Sequence, residues 1–307
     1  MAAVTNQRLA SRAIRTGIGA AAVLAAVYVL AVWTPAGQRF EDGVLRATRD
    51  MPDYLLAQRL LDHMTMYTLA AFLVVIAGIG LVRRRLDLAL VSAGVVVTSL
   101  VASEGVQHAV VRPVLLAHGV RREDQSFPSG HAAIAMAVMC ALVLVVPYRL
   151  RGATILVTGT AATVLSVDTV TADWHRPSDT LGSAMIVLIV VCAALLVLAA
   201  RGTVTAVEPA PGAARLGRGL VAAVFGTTAA LSFVVLAVTF TTVLLDRAET
   251  SSAVALAAGR AAAVLGATMV TLILLALLRH LDLSRPEPVR GSDRVPSMGR
   301  EGVDVAS

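Results

Sequence analysis

Eight stretches of mostly apolar residues divide the chain, at about 15–34, 64–82, 86–112, 130–148, 152–172, 181–200, 219–245 and 253–279. Each approaches the roughly 20 residues that a helix needs to cross the apolar interior of a bilayer. Residues 39–64 break the pattern, because Asp and Arg mix there with Leu55, Leu56, Leu60 and Leu61. That mixture predicts an amphipathic helix lying at the outer interface. From about Leu283, the residues Pro286, Pro288, Gly291 and Ser292 predict a disordered tail. The pattern shows no convincing internal repeat. It predicts an all-α, polytopic transmembrane helical bundle.

Composition agrees: 57% of the 307 residues are hydrophobic and 15% are charged, against roughly 25% charged in a soluble domain. The net charge of +6 comes with 26 basic residues, every one an arginine. They sit between apolar runs: Arg8, Arg12 and Arg15, then Arg83 to Arg85, Arg149 with Arg151, and Arg201 with Arg215 and Arg218, and further arginines from Arg279. Such breaks signal topology and argue against a nucleic-acid partner. Placing them all in the cytoplasm satisfies the positive-inside rule and puts both termini there. The first run is long and lacks a small-x-small cleavage site, so it reads as a retained anchor. Cys140 and Cys192 lie inside apolar runs and read as buried free thiols.

This topology brings three polar clusters to the outer face: Arg112-Pro113, "SFPSGH" at 126–131 and "DWHRPSD" at 173–179. Ser129, Gly130 and His131 open a helix, whose unpaired N–H groups and positive dipole end attract phosphate. Ser129 can cap that start, and Gly130 lets an anion approach the backbone. Arg112 can grip phosphate oxygens with its planar fork. Pro113 is expected to stop the preceding helix just after it. His175 and Asp179 are four apart, a spacing at which a carboxylate can hold an imidazole on a helix.

Arg112-Pro113, Pro128-Ser129-Gly130-His131 and His175 with Asp179 resemble the three signature motifs of the type 2 phosphatidic acid phosphatase superfamily. That superfamily includes lipid phosphate phosphatases, polyprenyl diphosphate phosphatases and vanadium haloperoxidases. The resemblance implies a six-helix core and a phosphohistidine mechanism with no metal or other cofactor. It assigns His175 as nucleophile, Asp179 as its orienting carboxylate and His131 as the proton donor to the leaving oxygen. It assigns Arg112, Ser129 and the Gly130 N–H to the phosphoryl oxygens. The chain departs from the family pattern at Gly105, where the family has Lys, and at Thr169, where it has Arg. His108, Arg121, Arg122 and Arg176 are candidates to restore that positive charge.

Three functional readings follow. The first is a membrane phosphatase that hydrolyses a lipid-linked phosphate monoester or diphosphate, polyprenyl or phosphatidic-acid-like, at the outer face of a bacterial plasma membrane. The second is a degenerate, slow relative that binds or helps transport phosphorylated lipids. The third is a metal-dependent hydrolase using His131, Asp168, Asp173, His175 and Asp179. The expected organisation is a cytoplasmic segment over 1–14, a six-helix core over 15–200 with its motifs within 100–185, a linker and two added helices over 201–280, and a cytoplasmic tail over 281–307. The expected partners are the bilayer and a phosphorylated lipid, and nothing in the sequence indicates an oligomeric state.

Overall fold

The computed structural model describes residues 2–48, 51–116, 125–207, 212–245 and 252–283. Ten α-helices run through the described residues: α1 (Ala2–Val27), α2 (Pro35–Thr48), α3 (Tyr54–Asp62), α4 (Met66–Val82), α5 (Leu86–Ala109), α6 (Gly130–Val145), α7 (Arg151–Thr171), α8 (Pro177–Ala200), α9 (Gly212–Leu244) and α10 (Ser252–Leu277). A π-helical turn, Tyr28–Val32, extends α1, and the two-residue strands β1 (Thr205–Ala206) and β2 (Leu281–Asp282) pair antiparallel. The fold is an all-α polytopic bundle.

Six helices are long and apolar enough to cross a membrane: α1 with its π turn, α5, α7, α8, α9 and α10. The runs at 64–82 and 130–148 became α4 and α6, of 17 and 16 residues. α4 adjoins α3 across a bend of 59°. Each apolar run of the sequence therefore has its helix. The interfacial segment is two helices rather than one, because Pro52 interrupts it between α2 and α3. The start of the chain also differs from expectation. α1 begins at Ala2, so Arg8, Arg12 and Arg15 ride on the helix instead of preceding it. The proposed tail lies outside the described residues from 284 onward.

The short helix α6 is the axis of the bundle. Thirteen of its sixteen residues are buried, and its alanines let α5, α7 and α8 approach closely. At 1.5 Å per residue it is about 24 Å long, less than the roughly 30 Å apolar thickness of a bilayer. Residues 126–129, which lead into it, are buried, so the start of α6 is recessed within the bundle. Cys140 and Cys192 are buried and free.

The last helix belongs to the same interior. Gly259 lies where a Cβ would meet Val44 and Pro177, and Gly266 packs on Ala184 and Leu181. Thr271 reaches the Met139 sulfur at 3.3 Å. α10 thus closes the bundle against α2, α6, α7 and α8. Arg260, isolated within an apolar run, pairs with Asp53 at 2.7 Å and donates to the Thr171 hydroxyl at 3.1 Å.

Candidate active site

The fold gathers the three polar clusters at one end. Ser129 adopts an extended conformation and its hydroxyl accepts from the Ala132 N–H at 3.3 Å, capping α6. Its own N–H donates to the Asp179 carbonyl at 3.1 Å. Ser183 Oγ reaches the Ser129 carbonyl at 2.6 Å and the Asp179 carbonyl at 2.8 Å. These bonds tie the first turn of α6 to the first turn of α8. Phe127 seals the junction: its ring sits where a Cβ on Gly182 would come within 2.6 Å. Only glycine leaves room there.

His175 reaches the site through a turn rather than along a helix. α7 ends at Thr171, and Asp173 takes the left-handed conformation at φ 57°, which Asp tolerates better than most residues. The Thr169 carbonyl then accepts from both the Trp174 and His175 N–H groups, at 3.1 and 3.0 Å. α8 starts two residues later with Pro177 in its first turn, where a missing N–H costs nothing. Asp179 caps this start by accepting the Arg176 N–H at 2.8 Å. The His175–Asp179 proximity is thus a product of capping and not of a shared helical face.

Asp179 is fully buried and organises the site. Its Oδ2 is 3.6 Å from His175 Nδ1, an ion-pair distance beyond hydrogen-bond length. Its Oδ1 accepts from Arg112 at 3.1 Å. The His131 and His175 rings lie with centroids 6.1 Å apart, and His131 packs edge-on against Trp174 at 5.1 Å.

Arg112 holds a second partner that the sequence analysis missed. Its Nη1 donates to Glu41 Oε2 at 2.6 Å, and Glu41, on α2, is 2% exposed. Burial raises the Glu41 carboxyl above its ordinary value, although the Arg112 charge pulls it down. One signal was present. Glu41 shares a helix face with Phe40, Val44 and Leu45, and an acid on the buried face of an amphipathic helix needs a counter-ion. Glu41 Oε1 and Arg112 Nε have no hydrogen-bond partner among the described residues.

Arg112 itself is not on a helix. α5 ends at Ala109, and Val110 is already extended, because Pro113 disfavours helical geometry in the residue before it. The loop is fastened instead by Tyr28, whose hydroxyl donates to the Val111 carbonyl at 2.6 Å, and by Gln38, which donates to the Pro113 carbonyl at 2.7 Å. This corrects the expectation of a helix that continues to Arg112 before Pro113 stops it, so His108 is not one helical turn from Arg112. His108 is exposed and contacts the Glu104 carbonyl on its own helix. Of the other candidate cations, Arg176 is buried and donates to Ser126 Oγ at 3.0 Å, while Arg121 and Arg122 lie outside the described residues. Gly105 is exposed on α5 with open space around it, whereas Thr169 is fully buried beneath the turn. Among the described residues, no three His, Cys, Asp or Glu side chains are grouped to hold a metal ion, and His131, Asp168, Asp173, His175 and Asp179 do not gather as one ligand set.

A membrane-type helical bundle that converges two histidines, a buried carboxylate and an arginine on one helix N-terminus has the parts of a phosphoryl-transfer site. Residues 59–203 match the family model described as the PAP2 superfamily, and this segment belongs to that superfamily. That superfamily includes phosphatases, which supports a phosphohydrolase at the level of class. No curated protein and no solved structure matches the chain.

Proposed function

We propose that the protein is an integral membrane phosphatase that hydrolyses a lipid-linked phosphate monoester or diphosphate at the outer face of the membrane. The observation that carries this reading is the joining of His175, His131 and Arg112 around the buried Asp179 at the recessed start of α6. Its place in a bundle with six helices long and apolar enough to cross a membrane favours a lipid over a soluble ester.

In this mechanism His175 Nε2 attacks phosphorus while Asp179 orients Nδ1 and stabilises the charge that develops on the ring. The 3.6 Å separation of that pair closes as substrate binds. His131 gives a proton to the leaving lipid oxygen, and the P–O bond breaks as the P–N bond forms. Water then attacks the phosphohistidine, with His131 accepting its proton, and phosphate and free His175 result. Arg112, Ser129 and the Gly130 N–H receive the phosphoryl oxygens. Residues 15–200 supply this core, and 201–280 close it.

The test is phosphate release from a panel of polyprenyl and glycerolipid phosphates by detergent-purified protein. Release from one class, lost in His175→Ala, supports the proposal, and no release from any overturns it. A second reading, a slow relative that binds such lipids, draws on one observation: both terminal nitrogens of Arg112 are held by carboxylates. Lipid binding without turnover in the same assay selects it. Sidedness is tested separately, because Asp62 and Arg201 are exposed at opposite ends of the bundle. Asp62→Cys should react with an impermeant thiol reagent in intact cells and Arg201→Cys only after permeabilisation. The reverse would place the site in the cytoplasm.

A further inference from the structure

At the end of the bundle opposite His131 and His175, a cavity of about 640 Å³ opens between α6, α7, α9 and α10. One wall is apolar, with Val143, Ile155, Leu272 and Leu275, and the other carries Arg151, Arg218, Arg279 and His280. Arg151 is 5% exposed, and its Nη1 donates to the Leu281 carbonyl at 2.6 Å. Its Nε and Nη2 have no hydrogen-bond partner among the described residues. Asp282 Oδ1 is 3.8 Å from Nη2, too far for a hydrogen bond. Arg218 lies over the Tyr148 ring at 4.1 Å and donates to its hydroxyl, while Arg151 stands 5.8 Å from the same ring. Two guanidinium groups therefore flank one phenol, and Asp282 is the carboxylate drawn toward them.

Gathering cations in a partly buried cavity is costly unless an anion joins them. Phosphate fits the planar donors of arginine, and an apolar wall beside it fits an acyl chain. We infer that this cavity binds the anionic phosphate headgroup of a membrane lipid, with a lipid tail along the apolar wall. The site is separate from the one that carries hydrolysis, since the length of α6 stands between them. Nine of its fourteen lining residues, from α9, α10 and the turn after α10, lie beyond the matched family segment. It gives the last helix pair a ligand as well as a packing role.

The test uses the full-length protein in detergent micelles, titrated with dioleoylphosphatidylglycerol or dioleoylphosphatidylcholine, with bound lipid counted by native mass spectrometry. Removing one charged donor should weaken anionic lipid binding by about tenfold. Arg218→Gln and, independently, the exposed Arg279→Gln should each show that loss for phosphatidylglycerol, with little change for phosphatidylcholine. His175→Ala should keep wild-type affinity, which separates this site from the hydrolytic one. Arg279→Gln keeps the test open if Arg218→Gln unfolds, because among the described residues the exposed Arg279 side chain donates to the neighbouring His280 ring and to no other element. Equal retention of the two lipids by wild type, or unchanged phosphatidylglycerol affinity in the folded variants, overturns the inference. Displacement of the lipid by millimolar inorganic phosphate alone also overturns it, since the ligand would then be a soluble anion.

Discussion

The two ends of the bundle treat their buried arginines differently. At the recessed end, Arg112 is clasped by Glu41 and Asp179, Arg260 by Asp53, and Arg176 reaches Ser126. At the far end, Arg83 donates to the Val145 carbonyl, Arg151 to the Leu281 carbonyl and Arg218 to a phenol. The recessed end holds Arg112 between two buried carboxylates, whereas at the far end Arg85 pairs with Asp87 but Arg151 and Arg218 donate to neutral oxygens, with Asp282 3.8 Å from Arg151. Pairing fixes side chains for chemistry, because a buried charge pair with satisfied geometry is costly to rearrange. Guanidinium donors without a close carboxylate keep their attraction for anions.

The difference can be broken most severely at the recessed end. His131→Ala should slow hydrolysis of a lipid alkyl phosphate by about 10²–10⁴-fold, the usual worth of a general acid. An activated aryl phosphate, which needs little protonation to leave, should lose much less, and equal losses would remove His131 from the acid role. Arg112→Ala should lower kcat by about 10²–10³-fold, the cost of one transition-state donor. It should also destabilise the fold, since Glu41 and Asp179 would be left buried with fewer partners.

Glu41→Gln sharpens the comparison, because it makes the recessed end resemble the far one. Freed of one carboxylate, Arg112 should bind inorganic phosphate about tenfold more tightly at neutral pH. The sign with pH follows from the raised Glu41 value. Protonation removes the negative charge on the fork, so wild-type affinity should rise toward the variant's as pH falls. Phosphate inhibition constants of the two proteins should therefore converge at acid pH, and a constant ratio across pH would assign Glu41 no electrostatic part. The smallest effect belongs to Arg260→Ala. Its pair with Asp53 is partly exposed, so thermal unfolding in detergent should register about 1 kcal/mol or less.

Much of this was legible in the sequence, for identifiable reasons. Apolar run length reports helices directly, so each of the eight runs has its helix, six of them long and apolar enough to cross a membrane. The cap at Ser129 and the turn between Asp173 and Pro177 use strictly local chemistry, and the motifs that contain them marked His131, His175 and Asp179. Glu41 and Ser183 were missed because their partners lie 71 and 54 residues away along the chain. Hydropathy states that a face is apolar without saying which helix will cover it. For the same reason α10 read as an addition, although its glycines seat it against α2 and α8. Arg112 was misplaced on a helix because the apolar run continues past Ala109, where the effect of Pro113 had already ended it.

The central claim is that His175 carries the phosphoryl group. The direct measurement is a quench of the purified protein in alkaline SDS during turnover of a ³²P-labelled lipid phosphate, followed by counting label on the protein. Wild type should retain label that is stable to base and lost in acid, as a phosphoramidate should be, and His175→Ala should retain none while keeping its fold. Label that persists in folded His175→Ala, or turnover by that variant near the wild-type rate, would contradict the account.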